Sequence, residues 1–165
     1  MKTRDASADK RRAAPLSAED KLAIQESIIR LSYCYADGDV PGFVALFDED
    51  AVLEVGWSPT QIAGRHALES WLSDLSNLSW TVKCSRVWVG NILVEGSGAA
   101  GVSKCVFNRI GLDGESLSTG TWTGSHRKAG GHWLISNLRV AADGTQEEFA
   151  AKQALAIVRA RRRQA

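Results

Sequence analysis

The chain carries no surplus of charge: 20 Lys and Arg stand against 19 Asp and Glu, a formal net charge of +1 over 165 residues. A nucleic-acid partner calls for a basic folded face, so this balance argues against one. The basic residues gather instead at the two ends, Lys2 to Arg12 and Arg159 to Arg163, and read as solvated tails. A long apolar run is missing as well. The opening MKTRDASADKRRAAP has charge with no apolar stretch behind it, which predicts neither a secretory leader nor a membrane anchor and makes a cytoplasmic protein the expectation. Cysteine is sparse: Cys34, Cys84 and Cys105 are odd in number and lack CxxC spacing, so reduced, mostly buried thiols are expected. Histidine is sparse too. His66, His126 and His132 are too dispersed for a metal site, so a metal is not indicated.

What the chain does have is 44% apolar residues, enough at this length for one domain with its own core, and no compositional break suggests two. Residues 1–16 read as a disordered tail, 17–145 as the folded domain and 146–165 as a C-terminal helix with a basic tail. Ser17 and Asp20 resemble a capping box that starts a helix from about Ala18 to Tyr35, with Leu22, Ile24, Ile28, Ile29 and Leu31 at helical spacing. Gly38 interrupts the pattern. Val40 to Phe47 reads as a short helix, Asp48 to Asp50 as an acidic turn, Ala51 to Trp57 as a strand, Ser58 to Gly64 as a loop and Arg65 to Leu75 as a third helix. Four strands follow, Trp80 to Val94, Gly101 to Ile110, Ser116 to Lys128 and His132 to Val140, joined by the turns EGSGAAG, GLDGE and KAGGH. Connections of hairpin length imply an antiparallel sheet, and helices grouped ahead of it imply an α+β fold. A sheet curved strongly around its helices would enclose a cone-shaped cavity. Glu147 to Arg162 reads as a last helix, able to cover a cavity mouth or pack on a partner.

Several residues could carry chemistry. Tyr33 and Asp37 lie four apart; on one helix face the phenol could donate to a carbonyl while the carboxylate takes a proton. Equally, Asp37 could cap the helix or turn the chain at Asp37-Gly38-Asp39, with Tyr33 a core aromatic. His126 shares strand parity with Trp122 and is a candidate general base; His132 falls in the turn and His66 at a helix start. Glu54, between Leu53 and Val55, is either a pocket carboxylate or an outward residue. The tryptophans Trp57, Trp71, Trp80, Trp88, Trp122 and Trp133 are a heavy load for a small domain, each a large apolar surface with one donor. Lys104, Asn108 and Arg139 are polar groups on strands that could orient a carbonyl, or be surface residues.

Three segments together resemble the SnoaL-like branch of the nuclear transport factor two superfamily: the first helix running into ADGD and FVALFDEDAVLEV, then GRHALESWL, then GTWTGSHRKAGGHWLISNLRV. They span roughly Lys21 to Val140. The resemblance implies a cone-shaped α+β barrel, a curved antiparallel sheet wrapped around N-terminal helices, as in polyketide cyclases, scytalone dehydratase and ketosteroid isomerase. It places the dehydratases' Tyr and Asp at Leu31 and Ala36, their His near Val87 and the isomerase's Asp near Val55; a register shift would bring Tyr33 and Asp37 into the first pair. It makes Trp133 a core tryptophan, sets Trp122 facing a ligand and Trp57 near the cavity mouth, and turns Glu54 away. The pocket it implies involves Tyr35, Val55, Trp57, Val87, Lys104, Asn108, Trp122 and Arg139, with Asp37, Tyr33 and His126 as catalytic candidates. The implied activity is a cyclase, dehydratase or isomerase acting without cofactor on a hydrophobic polyketide- or terpenoid-like molecule, in a homodimer or higher homo-oligomer. The alternative is a non-catalytic ligand-binding or oligomerisation module of the same fold, because Leu31, Ala36, Val55 and Val87 can move no proton.

Overall fold

The Ser17 hydroxyl accepts from the Asp20 backbone N–H at 3.0 Å and so caps the helix α1, Ala18–Asp37. The structure, a computed structural model, describes residues 13–56, 61–78, 85–111, 114–145, 147–148, 151–152, 154–155 and 158–159. Trp57, Trp80 and Cys84 lie outside them, as do residues 1–12 and the expected strand start at 80–84. Ala13 to Leu16, expected in the tail, instead pack on the sheet: Gly98 donates to the Ala14 carbonyl at 2.9 Å, and Leu16, itself buried, donates to the Gly96 carbonyl at 3.2 Å.

α1 buries the stripe Ile24, Ile28 and Leu31 completely. Leu22 and Ile29, counted with that stripe in the sequence, lie on the opposite side and are exposed, since positions seven apart share a face of their own. Gly38 ends the helix at φ 70, which lets Asp39 N donate to the Cys34 carbonyl at 2.9 Å. Asp39 then caps α2, Val40–Ala45, by accepting from Gly42 N at 2.9 Å. Phe47, expected to end this helix, opens the strand β1, Phe47–Val55.

The acidic run Asp48 to Asp50 is therefore strand and not turn, although an irregular one. Phe47 pairs with Ile135 and Val52 with Asn137, so one strand has several residues more than its partner over this interval. Arg65 holds the irregularity by donating from Nε to the Phe47 carbonyl at 2.7 Å, and buried Asp48 forms an ion pair with Arg127. The expected loop contains a short strand, β2, Gln61–Ala63, before α3, Arg65–Leu78. Then come β3, Ser85–Ser97, β4, Ala100–Gly111, β5, Ser116–Ala129, and β6, His132–Ala142.

The fold is α+β, with a curved, unclosed sheet in the order β2-β1-β6-β5-β4-β3. The hairpin pairs are antiparallel, as their short turns require, but β1 and β6 run parallel. No hairpin joins those two, so the direction of β6 is set by the strands before it. Curvature comes with bulges; the one in β3 between Gly90 and Leu93 has Asn91 at φ 52, and Gln25 of α1 donates to the Ile92 carbonyl there at 3.2 Å. Beyond β6 the described residues between 147 and 159 are helical, and Thr145 and Glu148 make a reciprocal capping pair. Among the described residues no helix is long and apolar enough to cross a membrane.

α1 lies on the concave face of the sheet. Around its first turns Leu16, Ile24, Val94 and Trp133 form one packed cluster, and a larger one extends from Ile28 and Leu31 towards α2, α3 and β1. Asp20 joins helix to hairpin by accepting from Lys128 Nζ at 2.6 Å and Trp133 Nε1 at 2.8 Å. The hydrogen bonds from Lys128, Trp133 and Ser17, in that order, hold its carboxyl well below the usual carboxylate range. On β5, His126 is 3% exposed; its Nε2 is hydrogen-bonded to Ser103 Oγ at 2.8 Å, while Nδ1 has no partner among the described residues. Burial pushes its pKa down to about 4.

Two expectations follow from this packing. A Cβ at Gly120 would collide with the Ala141 carbonyl oxygen and lie 2.8 Å from Phe107 Cε1, so Gly120→Ala lowers stability by about 2–3 kcal/mol in urea denaturation. His126 takes its proton near 6.5 when unfolded and near 4 when folded, so between those values the unfolded chain binds more protons and stability falls as pH drops. Urea midpoints at pH 7 and pH 5 should show His126→Leu losing about 2 kcal/mol less than the wild type over that interval.

Candidate active site

The second half of α1 does not fill the concave face, and a cavity remains there. Its empty space is about 570 Å³ including the open mouth. Leu31 and Tyr35 border it from α1, Phe43 from α2, Leu53 and Val55 from β1, and Trp71 from α3. The sheet supplies Val87, Phe107, Arg109, Ser118, Trp122, Leu138 and Val140. Phe107 and Trp122 face each other with ring centroids 5.7 Å apart, and Phe43 stacks on Phe47 at 5.2 Å behind the wall.

Against this apolar background one charge stands out. Arg109 is 6% exposed and donates from Nε to the hydroxyl of Ser85, also buried, at 2.9 Å. Burial lowers its pKa, and the nearby Tyr35 phenol acts in the opposite sense; a guanidinium stays protonated in either case. Val87, Arg109 and Ser118 are register partners across three adjacent strands, forming one row of the cavity wall. Tyr35, Arg109 and Ser118 thus make a polar pole in an apolar chamber. Among the described lining residues there is no carboxylate and no histidine.

The structure divides the residues singled out from the sequence. Tyr35, Val55, Val87 and Trp122 line the cavity. Tyr33, 66% exposed, and Asp37 are on the solvent side of α1, because a shift of two residues turns about 200° around a helix; the pair does not reach the cavity. Of the Asp37-Gly38-Asp39 turn, Gly38 bends the chain and Asp39 caps α2, while Asp37 is the last residue of α1. Leu31 borders the cavity and Ala36, five residues on, is buried, so these two inward positions near the end of α1 hold no acid.

Lys104 and Arg139 are exposed, and Asn108 accepts from Ser116 Oγ at 2.8 Å; none of them borders the cavity. All three have the outward parity of their strands. Glu54 also points outward and accepts from Asn137 Nδ2 at 3.1 Å. His126 is buried away from the lining, and His66 and His132 are exposed. Trp57 lies outside the described residues. Trp133 is core, and Trp88 is exposed. Cys105 is buried with its thiol pushed up to about 11 by that burial, so it is no nucleophile at neutral pH. Among the described residues no group of three His, Cys, Asp or Glu could hold a metal ion.

Arg109, Ser118, Phe107 and Trp71 were not singled out as site residues from the sequence. Alternation in the sequence did not mark Arg109: apolar residues stand at both parities of β4, Cys105 and Phe107 at odd positions and Val102, Val106 and Ile110 at even ones, so the inward side is not named by the pattern alone.

No curated protein matches the chain. Solved structures do. A Nostoc punctiforme protein of unknown function with a cystatin-like fold superposes with a TM-score of 0.72 at 19% identity, over 79% of this chain and 96% of that one. A candidate scytalone dehydratase from Novosphingobium aromaticivorans gives 0.63 at 16% identity, over 74% and 83%. A ketosteroid isomerase-like protein from Erwinia carotovora atroseptica gives 0.61 at 14% identity, over 78% and 100%. At such identities the likeness is one of fold. The sequence pattern of the SnoaL-like domain matches residues 16–139, and with the curved sheet, the inward α1 and the open concave chamber in place, the chain belongs to that family.

Proposed function

We propose that the chain is a cofactor-independent enzyme of the cyclase, dehydratase or isomerase type, acting on a hydrophobic small molecule of polyketide or terpenoid character. The observation that carries this reading is the buried guanidinium of Arg109 bordering an otherwise apolar cavity with the hydroxyls of Tyr35 and Ser118. Cyclisation, dehydration or isomerisation through an enol builds negative charge on a carbonyl oxygen. A fixed cation and hydroxyl donors in a poorly solvated site stabilise that charge without reorganising water. Among the described lining residues Tyr35 is the group that can pass a proton to or from the substrate, and the aromatic walls hold the reacting atoms in place. The roles considered for Tyr33, Asp37 and His126 pass to Tyr35 and Arg109 in this reading. A cytoplasmic setting goes with it and is favoured by the free thiols of Cys34 and Cys105.

The lack of a carboxylate or histidine among the described lining residues favours a second reading, a binding module that holds its ligand unchanged. Identifying the small molecule that copurifies with the native protein and incubating it with fresh protein separates the two. Conversion that drops by 100-fold or more in Arg109→Met, with the ligand still bound, supports the enzyme. Recovery of the ligand unchanged after long incubation supports the binding module.

We further propose a second copy of the chain as the partner of the convex sheet face. Trp88 and Leu93, each 67% exposed, share the outward side of β3 and β4 with Val102 and Val106, and Glu95 and Lys104 add charges of both signs there. A two-fold contact can bury those apolar groups while pairing the opposite charges. Light scattering should give twice the chain mass for the wild type and the chain mass for Trp88→Glu; a wild type that stays monomeric at all concentrations overturns this part.

A further inference from the structure

We infer that the ligand of this cavity is an amphipathic acid: a flat apolar body with one oxygen acid group, bound as its anion at Arg109. The inference rests on the proposed reading that the cavity is the ligand site, and it adds the charge of the ligand to that reading.

The first support is the distribution of charge. Arg109 is the one charged side chain among the described lining residues, and around it the wall is aliphatic and aromatic. Fields in such a site are weakly screened, so a guanidinium there attracts an anion and repels a cation far more strongly than it would at the surface. A ligand acid is therefore held in its ionised form, while a ligand ammonium is excluded. The chemistry the site recognises is an oxyanion, whether a carboxylate or an ionised phenol or enol.

Placement is the second support. Ser85, 1% exposed, takes the Arg109 Nε hydrogen bond at 2.9 Å, which fixes the guanidinium on its strand. Arg109 and Phe107 are two residues apart on β4 and both inward, and Trp122 faces Phe107, so the cation and the aromatic pair border one chamber and a single ligand can meet both. Tyr35 and Ser118 add hydroxyl groups on the same side as Arg109, able to donate to an oxyanion held there.

Isothermal titration of the full chain at neutral pH with four naphthalene probes of one shape tests the inference: 2-naphthoate, 2-naphthol, 2-naphthamide and 2-naphthylmethylamine. The expected result is binding of 2-naphthoate, 2-naphthol or both at least tenfold tighter than 2-naphthamide, with the amine weakest. Any 2-naphthol advantage should come with the absorption change of naphtholate formation. A gain for naphthoate alone identifies a carboxylic acid, and a gain for naphthol alone a phenol or enol; each supports the inference. Arg109→Met should erase the acid's advantage and leave naphthamide binding in place, and Arg109→Lys should retain part of it. The ligand series on the wild type decides the matter even where a variant fails to fold. Naphthamide binding as tightly as both acids overturns the inference while leaving the cavity reading intact, and no binding by any of the four overturns both.

Discussion

The architecture depends on how closely α1 approaches the concave face of the sheet and on how closely β4 and β5 pack beside it, and missing side chains on those two strands permit both. A Cβ at Gly101 would lie 2.7 Å from Ile24 Cδ1, and one at Gly124 would lie 2.8 Å from Ser103 Oγ and 2.9 Å from His126 Nε2. At these positions the helix and the buried Ser103–His126 pair occupy the volume that side chains would take. Asp20 then locks the start of α1 to the β5–β6 hairpin through Lys128 and Trp133. With that end closed, the larger inward residues of β4 and β5 stand off the second half of the helix, and the space between them is the cavity. The same packing that stabilises the fold therefore leaves an unfilled chamber at its other end.

The chamber's chemistry follows from strand alternation. Cys105, Phe107 and Arg109 point inward because they share parity on β4, and the register with β5 sets Ser118 beside Arg109 and Trp122 beside Cys105. Burying a guanidinium carries a large desolvation cost, offset in part here by the hydrogen bond to Ser85 and the nearby Tyr35 phenol. A cation kept in such surroundings marks a site of recognition or chemistry, which is the physical basis of the function proposed for this family member.

Long periodic elements were legible in the sequence. The capping pair Ser17 and Asp20 and the stripe Ile24, Ile28 and Leu31 are as expected, and the four Gly-punctuated strands, over the described residues, fall within a few residues of their expected bounds. What failed were features whose cause lies in other parts of the chain. The Asp48 to Asp50 run has turn-like composition, yet pairing with β6 and the Arg65 hydrogen bond draw it into β1 as an irregular strand. Site residues divided along the same line. Trp122, Val55, Val87 and Tyr35 border the cavity, whereas Tyr33, Asp37, Lys104, Asn108 and Arg139, chosen for their chemistry, face outward. Arg109 was passed over because β4 has apolar residues at both parities, Val102 and Val106 as well as Cys105 and Phe107, so alternation alone names no inward side.

By itself the sequence determined the elements, their order and the α+β class, because apolar periodicity, caps and glycine turns act over distances of a few residues. It also determined the family, since the spacing of three segments is retained along the chain. Only the tertiary structure decided which polar group meets the cavity. A helix turns about 100° per residue and a strand reverses face at every residue, so whether a side chain is buried depends on what packs against it from distant parts of the chain. Arg109 and Tyr35 border one cavity because a helix and a strand more than seventy residues apart in the sequence face each other across it, and Asp37 is excluded because it lies on the exposed side of that helix.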